Sequence, residues 1–199
     1  MAALNHEHFQ CCFKDWIAQQ HEDLEELLTI LSPDTNTVIN DDQLKLLGQK
    51  SIKHFEEYCE KRTLLAKHHA SSFMSPGWCS SFENAFLWIG GCRPSLFVRL
   101  IYSEEIADQP LAMLANRAER VGESSQDLDR AMDAHSVSLA RIMFDADNLR
   151  LGTLKDLIAI LTPLQTINFL VATKKLHLSM HEWGKRSDNQ IGKPSSSNT

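Results

Sequence analysis

Phe9, Phe13, Trp16, Ile17, Leu24, Leu27, Leu28 and Leu31 recur at steps of three, four and seven, while Gln10, Lys14, Gln19, Glu22 and Glu26 fall mostly between them. A helix turns once every 3.6 residues, so these steps gather the apolar side chains on one stripe. The pattern predicts a first helix from about Asn5 to Leu31, ended at Ser32-Pro33-Asp34, where proline removes a donor and disfavours a helical residue before it. A second apolar series, Leu44, Leu47, Ile52, Phe55, Tyr58, Cys59 and Leu65, predicts a helix that opens on Asp41 or Asp42 as its cap and closes near His69. Ser75-Pro76-Gly77 marks a loop. Phe82 to Ile89 then reads as a short apolar helix stopped by Gly90-Gly91, and Pro94 opens another that carries Leu96, Phe97, Leu100 and Ile101. Both segments are apolar nearly all round and are expected at the centre of the fold.

From Glu104 to Asp133 the chain turns acidic, with a break expected at Gly122-Glu123-Ser124-Ser125. Leu128, Met132, His135, Leu139, Ile142, Ala146 and Leu149 follow at alternating steps of four and three, a heptad seam able to pack against another helix. Thr162-Pro163-Leu164-Gln165 has the form of a capping box, and Ile167, Leu170, Val171 and Leu178 carry the last helix to Gly184. Lys185 to Thr199 is polar and is expected to be a disordered tail. Residues 1–184 are therefore read as one all-α domain, an irregular multi-helix bundle around a central apolar helix pair.

Composition sharpens this picture in three respects. Hydrophobic residues make up 43% of the 199, with only 8 glycines and 6 prolines, which suits a packed helical core. The net charge of -6 and the lack of any dense Lys/Arg cluster disfavour tight nucleic-acid binding by this chain alone. Five cysteines at 11, 12, 59, 79 and 92 have neither Cys-x-x-Cys spacing nor a secretory signal ahead of them, so buried thiols in a reducing compartment, the nucleus or cytoplasm, are expected.

Few residues suggest chemistry. His177 and His181 stand one turn apart and could hold a metal ion or offer a haem ligand, though two such histidines cannot sit on opposite faces of one haem. The competing reading is a pair of hydrogen-bonded, partly buried histidines. No phosphate loop, nucleophile elbow or nucleophile–base arrangement is visible, and no enzyme activity is expected.

Four blocks carry a resemblance to a known family. Residues 75–102, SPGWCSSFENAFLWIGGCRPSLFVRLIY, are similar to the central block of the plant delay-of-germination domain, found in seed-dormancy regulators and in the C-terminal region of TGA-type bZIP transcription factors. Phe13-Lys14-Asp15-Trp16 with the run Asp23 to Leu27 resembles its opening helix, Ala146 to Arg150 with Thr153-Leu154 a late segment, and Leu161 to Gln165 with Leu176 to Gly184 its closing helix. Two departures stand out. The stretch before Phe9 has no basic region or zipper, and Tyr102-Ser103 runs straight into Glu104-Glu105 where relatives carry a further helical stretch, so the chain looks like a shortened member.

The resemblance implies a non-catalytic role in transcription or dormancy signalling through protein contacts, with bZIP-type factors as partners. Independently of the resemblance, the bulky anchors of residues 86–101 with Arg93 and Arg99 make calmodulin a candidate partner, although Gly90-Gly91-Cys92 and Pro94 interrupt any single helix there and core packing is the stronger reading. The resemblance also implies an alternative, a sensor of haem or a fatty acyl chain, with His177 and His181 the positions carried over for haem. The shortened middle would expose apolar surface, so the chain is expected to be a homodimer through the Leu128–Leu149 seam or poorly soluble alone; the alternative is a monomer whose remaining helices close over the gap.

Overall fold

The computed structural model describes residues 2–32, 40–74, 76–103 and 131–191. They form six helices: α1 (Ala2–Leu31), α2 (Asp41–His69), α3 (Ser81–Phe86), α4 (Pro94–Ser103), α5 (Ala131–Ile160) and α6 (Pro163–Ile191), with a 3-10 turn at Ala70–Phe73 after α2. No strand occurs among the described residues, which contain one isolated bridge, Trp88 to Gly91. The fold is all-α, as the periodicity predicts. The acidic stretch, its break at 122–125 and the shortened middle after Ser103 lie outside the described residues.

Local chemistry sets the helix ends. Asn40, not Asp41 or Asp42, caps α2: its side chain accepts from the Asp42 amide at 2.9 Å, and Gln43 reaches back to the Asn40 amide at 3.3 Å. The two aspartates instead occupy the first turn, where they favour the positive end of the helix dipole. The expected capping box of α6 is present, with the Gln165 amide donating to Thr162 Oγ1 at 3.3 Å and the Thr162 amide to Gln165 Oε1 at 2.9 Å.

Cross-helix pairs show how the long helices run. Glu26–Lys50, Asp23–His54 and Trp16–Tyr58 make α1 and α2 antiparallel. Arg62–Asp147 and Glu56–Lys155 do the same for α2 and α5, and Asp23–Lys174 with Phe13–His181 for α1 and α6. One apolar cluster centres on Leu27, Phe97, Ile101, Leu157, Ile167 and Phe169. A second holds Phe9, Ala66, Ala70, Phe73 and Met143. Along α5, Asp147 and Arg150 fall between the Met143 of one cluster and the Leu154 and Leu157 of the other, so a buried charged layer separates two apolar ones.

Four expectations need correction. Only α4 of the supposed central pair is deeply buried, through Phe97, Val98 and Ile101. Helix α3 stops at Phe86, which is half exposed, because the chain reverses at 88–91 and leaves α3 one turn and a half resting on α6. On α5 the inward face is Met143, Ala146, Asp147, Arg150, Leu154 and Leu157, while Ile142 of the expected seam is exposed. Finally, α6 does not end at Gly184 but continues to Ile191, so 185–191 are helical.

Gly184 serves close packing. A Cβ there would lie 2.0 Å from Ser80 Oγ, and one turn on, Asp188 accepts from the Ser81 amide at the start of α3 at 2.9 Å. Helix propensity alone would make Gly184→Ala stabilising by about 1 kcal/mol. The Ser80 contact reverses that sign: Gly184→Ala should cost about 1–3 kcal/mol by forced displacement, read by denaturant unfolding.

Candidate functional site: buried ion pairs around an apolar cavity

Ser51, Phe55, Tyr58 and Arg62 stand at steps of four and three along α2, and Phe13, Trp16 and Gln20 do so along α1, so both helices turn these side chains to the same interior space. Trp16 stacks on Tyr58, with centroids 4.4 Å apart and planes 5° from parallel. The Arg62 guanidinium lies 5.4 Å from the centroids of both Tyr58 and Phe73, held by ring faces that attract cations.

Beyond it sits Asp147, buried on α5. Arg150 Nη1 donates to Asp147 Oδ1 at 2.5 Å, while Arg62 Nε stands 3.6 Å from Oδ2, an ion pair too long to be a hydrogen bond. Arg150, 1% exposed, spends its other donors on the backbone: Nε on the Cys92 carbonyl at 2.7 Å, and Nη2 on the carbonyls of Ile89 at 2.9 Å and Trp88. The Trp88 and Ile89 carbonyls belong to a reverse turn closed by Trp88 N–H to Gly91 O at 2.7 Å, with Ile89 and Gly90 at φ +47° and +67°, and Cys92 follows it directly. Positive φ strains a β-branched residue such as isoleucine. The Arg150 hydrogen bonds hold it there. A Cβ on Gly91 would lie 2.8 Å from Arg150 Cζ, and one on Gly90 3.1 Å from Arg62 Nη2, so the two glycines make room for the two guanidiniums.

Two further buried pairs complete the polar layer. Lys174 Nζ donates to Asp23 Oδ2 at 2.7 Å and to Gln20 Oε1 at 3.3 Å, and Asp23 Oδ1 meets His54 Nδ1 at 2.7 Å. Burial holds Lys174 below the ordinary lysine range despite the attraction of Asp23. On α3, Glu83 Oε2 accepts from the Ser80 amide at 2.8 Å and the Ser80 hydroxyl at 2.7 Å, while Oε1 lies 2.7 Å from His181 Nδ1. Burial pushes the Glu83 carboxyl up, but the hydrogen bonds from Ser80 and His181 outweigh it and leave the group below its usual range.

Between these pairs lies a cavity of about 200 Å³. Its wall is mainly apolar and aromatic, with Phe13, Trp16, Phe55, Leu96, Leu100 and Leu154 among the lining side chains, and Gln20, Arg62, Arg150 and Lys174 at its polar margins. Cys79 and Cys92 also line it, and burial pushes the Cys79 thiol up to about 12, which keeps it unreactive. All five thiols are free.

Residues 20–103, from the middle of α1 through α4, match the family model described as seed dormancy control. This part of the chain is similar to that family. The match takes in Gln20, Arg62 and the glycine turn. The chain is 27% identical over 256 aligned residues to Protein DOG1-like 1 of Arabidopsis thaliana, covering 91% of this chain and 90% of the relative. It is 25% identical over 209 residues to Protein RESPONSE TO ABA AND SALT 1 of the same plant, covering 84% and 90%. Transcription factor TGA1 of Arabidopsis thaliana is 31% identical over 134 residues, 66% of this chain but 35% of the factor. Among the described residues no helix is long and apolar enough to cross a membrane.

The two singled-out histidines, which lie outside the matched residues, are not equivalent. His177 lines the cavity, its ring 6.4 Å from Trp16. His181 is not among the lining residues: it is buried edge-on against Phe13 at 5.4 Å and engaged by Glu83. The pair therefore presents one imidazole, not two, to a ligand in the cavity. The space, at about 200 Å³, is below the roughly 300–1,000 Å³ of pockets that enclose drug-sized molecules. Of the calmodulin segment, Phe97 and Ile101 are committed to the core. The residues to which sequence reading assigned no interior role are Gln20, Asp23, Arg62, Asp147, Arg150 and Lys174, all buried. Their signal was positional: Gln20 and Asp23 continue the series Phe13, Trp16, Leu27 at core spacing, as Arg62 continues Phe55, Tyr58 and Ala66.

Burial drives His177 down from 6.5 to about 4. Between those values the unfolded chain binds a proton that the folded chain does not, so stability falls as pH drops from 6.5 towards 4. Denaturant unfolding should show this loss, and His177→Phe should flatten the curve in that window. An unchanged slope would show that His177 titrates alike in both states.

Proposed function

We propose that this chain is a non-catalytic regulatory module of transcription or dormancy signalling that works through protein contacts, with TGA-type bZIP factors as the partner class. One observation carries the reading: the buried carboxylates are each committed to buried basic groups as framework, Asp147 to Arg62 and Arg150, Asp23 to Lys174 and His54, Glu83 to His181. Such groups hold shape and leave no poised carboxylate among those that they pair. The outer surface carries half-exposed aromatics, Phe86 and Trp183, with Phe82 packed 4.3 Å from the Trp183 ring, and aromatic clusters of this kind anchor protein interfaces. The similarity to TGA1 supports the partner class. The net charge of -6 leaves DNA reading to the partner and suits an action in the nucleus beside a DNA-bound factor.

Size-exclusion chromatography of this chain with purified TGA1 tests the proposal. A co-eluting complex, weakened by Trp183→Glu, is expected, together with only weak duplex DNA binding by this chain alone at physiological salt. No complex, or tight sequence-selective DNA binding without a partner, would contradict it.

A second reading, a sensor of a small apolar ligand such as an acyl chain, is favoured by the cavity. An apolar wall with a few convergent polar groups is the usual form of a ligand site.

A further inference from the structure

The charge layer does not balance at one place. Asp23 stands against Lys174 and His54, and Glu83 against His181, but Asp147 alone faces two guanidiniums, Arg62 and Arg150. Arg150 has its donors on carbonyls and on Asp147, whereas Arg62 Nε and Nη2 have no hydrogen-bond partner among the described residues. Arg62 is 4% exposed and lines the cavity. A buried cation with unmet donors at the edge of an apolar space attracts an anion, because unmet hydrogen bonds and uncompensated charge are both costly there.

A second unmet donor lies elsewhere on the same wall. Gln20 is 4% exposed, its Oε1 is taken by Lys174, and its Nε2 has no partner among the described residues. The pairs Asp23–His54 and Trp16–Tyr58 place Gln20 level with Phe55, two turns of α2 from Arg62, or about 10 Å. The same wall carries Phe13, Trp16, Phe55, Tyr58 and Leu100.

We propose that the cavity takes a slender apolar acid oxygenated at two points, its carboxylate on Arg62 and a second acceptor, roughly 10 Å away, on Gln20 Nε2. This rests on the ligand-sensor reading and narrows it: a plain acyl chain satisfies Arg62 alone, and a bifunctional chain satisfies both ends. The carboxylate also balances the second guanidinium beside Asp147. Binding is non-covalent, and the charge-assisted contact at Arg62 supplies the preference for acids over neutral chains.

Isothermal titration calorimetry of the full chain with decanedioic acid, decanoic acid and 1-decanol tests it. Decanedioate should bind about tenfold tighter than decanoate, the worth of roughly one hydrogen bond to a buried unmet donor, and decanoate tighter than decanol. Gln20→Glu keeps an acceptor for Lys174 but removes the free amide, and should abolish the advantage of the diacid. Arg62→Met leaves Asp147 paired with Arg150 and should abolish the advantage of decanoate over decanol. If decanoate binds the native chain as tightly as the diacid, the inference is overturned and the sensor reading stands. If none of the three binds a chain shown to unfold cooperatively, both fall. Should Arg62→Met fail to fold, Gln20→Glu decides on its own.

Discussion

The architecture turns on one buried carboxylate. Asp147 on α5 faces Arg150 from its own helix and Arg62 from α2, and Arg150 carries the constraint on to the carbonyls of Trp88, Ile89 and Cys92. Two long helices and the connection between α3 and α4 are thereby fixed to one another by a single planar fork of donors. Only arginine offers donors enough, in a rigid plane, to hold a carboxylate and three carbonyls together. Removing one member of a buried pair strands the other and costs about 3–5 kcal/mol, far more than an exposed pair such as Lys50–Glu26 is worth.

A charged layer through a helical core adds less stability than apolar packing of the same volume, and its value lies in register. Leu, Ile and Phe on α1, α2, α5 and α6 could slide by a turn and still meet apolar neighbours. Asp23 with Lys174, Arg62 with Asp147, and Glu83 with His181 cannot. Each pair joins elements far apart in sequence, and together they fix the level at which the helices meet. The aromatic rings that shield Arg62 are the same rings that wall the cavity, so the ion framework and the ligand space are one construction. The frame that the match to the dormancy-control family spans, from Gln20 through the glycine turn to α4, supplies much of that wall.

The helices were legible because their stripes are long: α1, α2 and α6 fall where the 3.6-residue period places them, and the Thr162–Gln165 cap is visible at a glance. The error at α3 has a definite origin. Apolar character from Phe82 to Ile89 cannot distinguish a helix from a strained reverse turn held by an arginine some sixty residues away. Gly184 misled for a related reason, since a glycine that ends a helix and a glycine that admits Ser80 look alike in one dimension. The polar residues of the interior were hidden by an assumption that polar means outward. Gln20, Asp23, Arg62, Arg150 and Lys174 sit at core spacing, and reading periodicity without regard to polarity brings them in. Which of them pair is a matter of tertiary register, which a single sequence does not carry.

The claim that Asp147 and Arg150 act as one unit is most directly tested by a double-mutant cycle on denaturant stability with Asp147→Asn, Arg150→Met and the double variant. The account predicts strong coupling, about 2–3 kcal/mol, with the double variant losing far less than the sum of the two single losses. Losses that add to within about 0.5 kcal/mol would show that the two side chains contribute independently and that the turn is held by its own backbone hydrogen bonds.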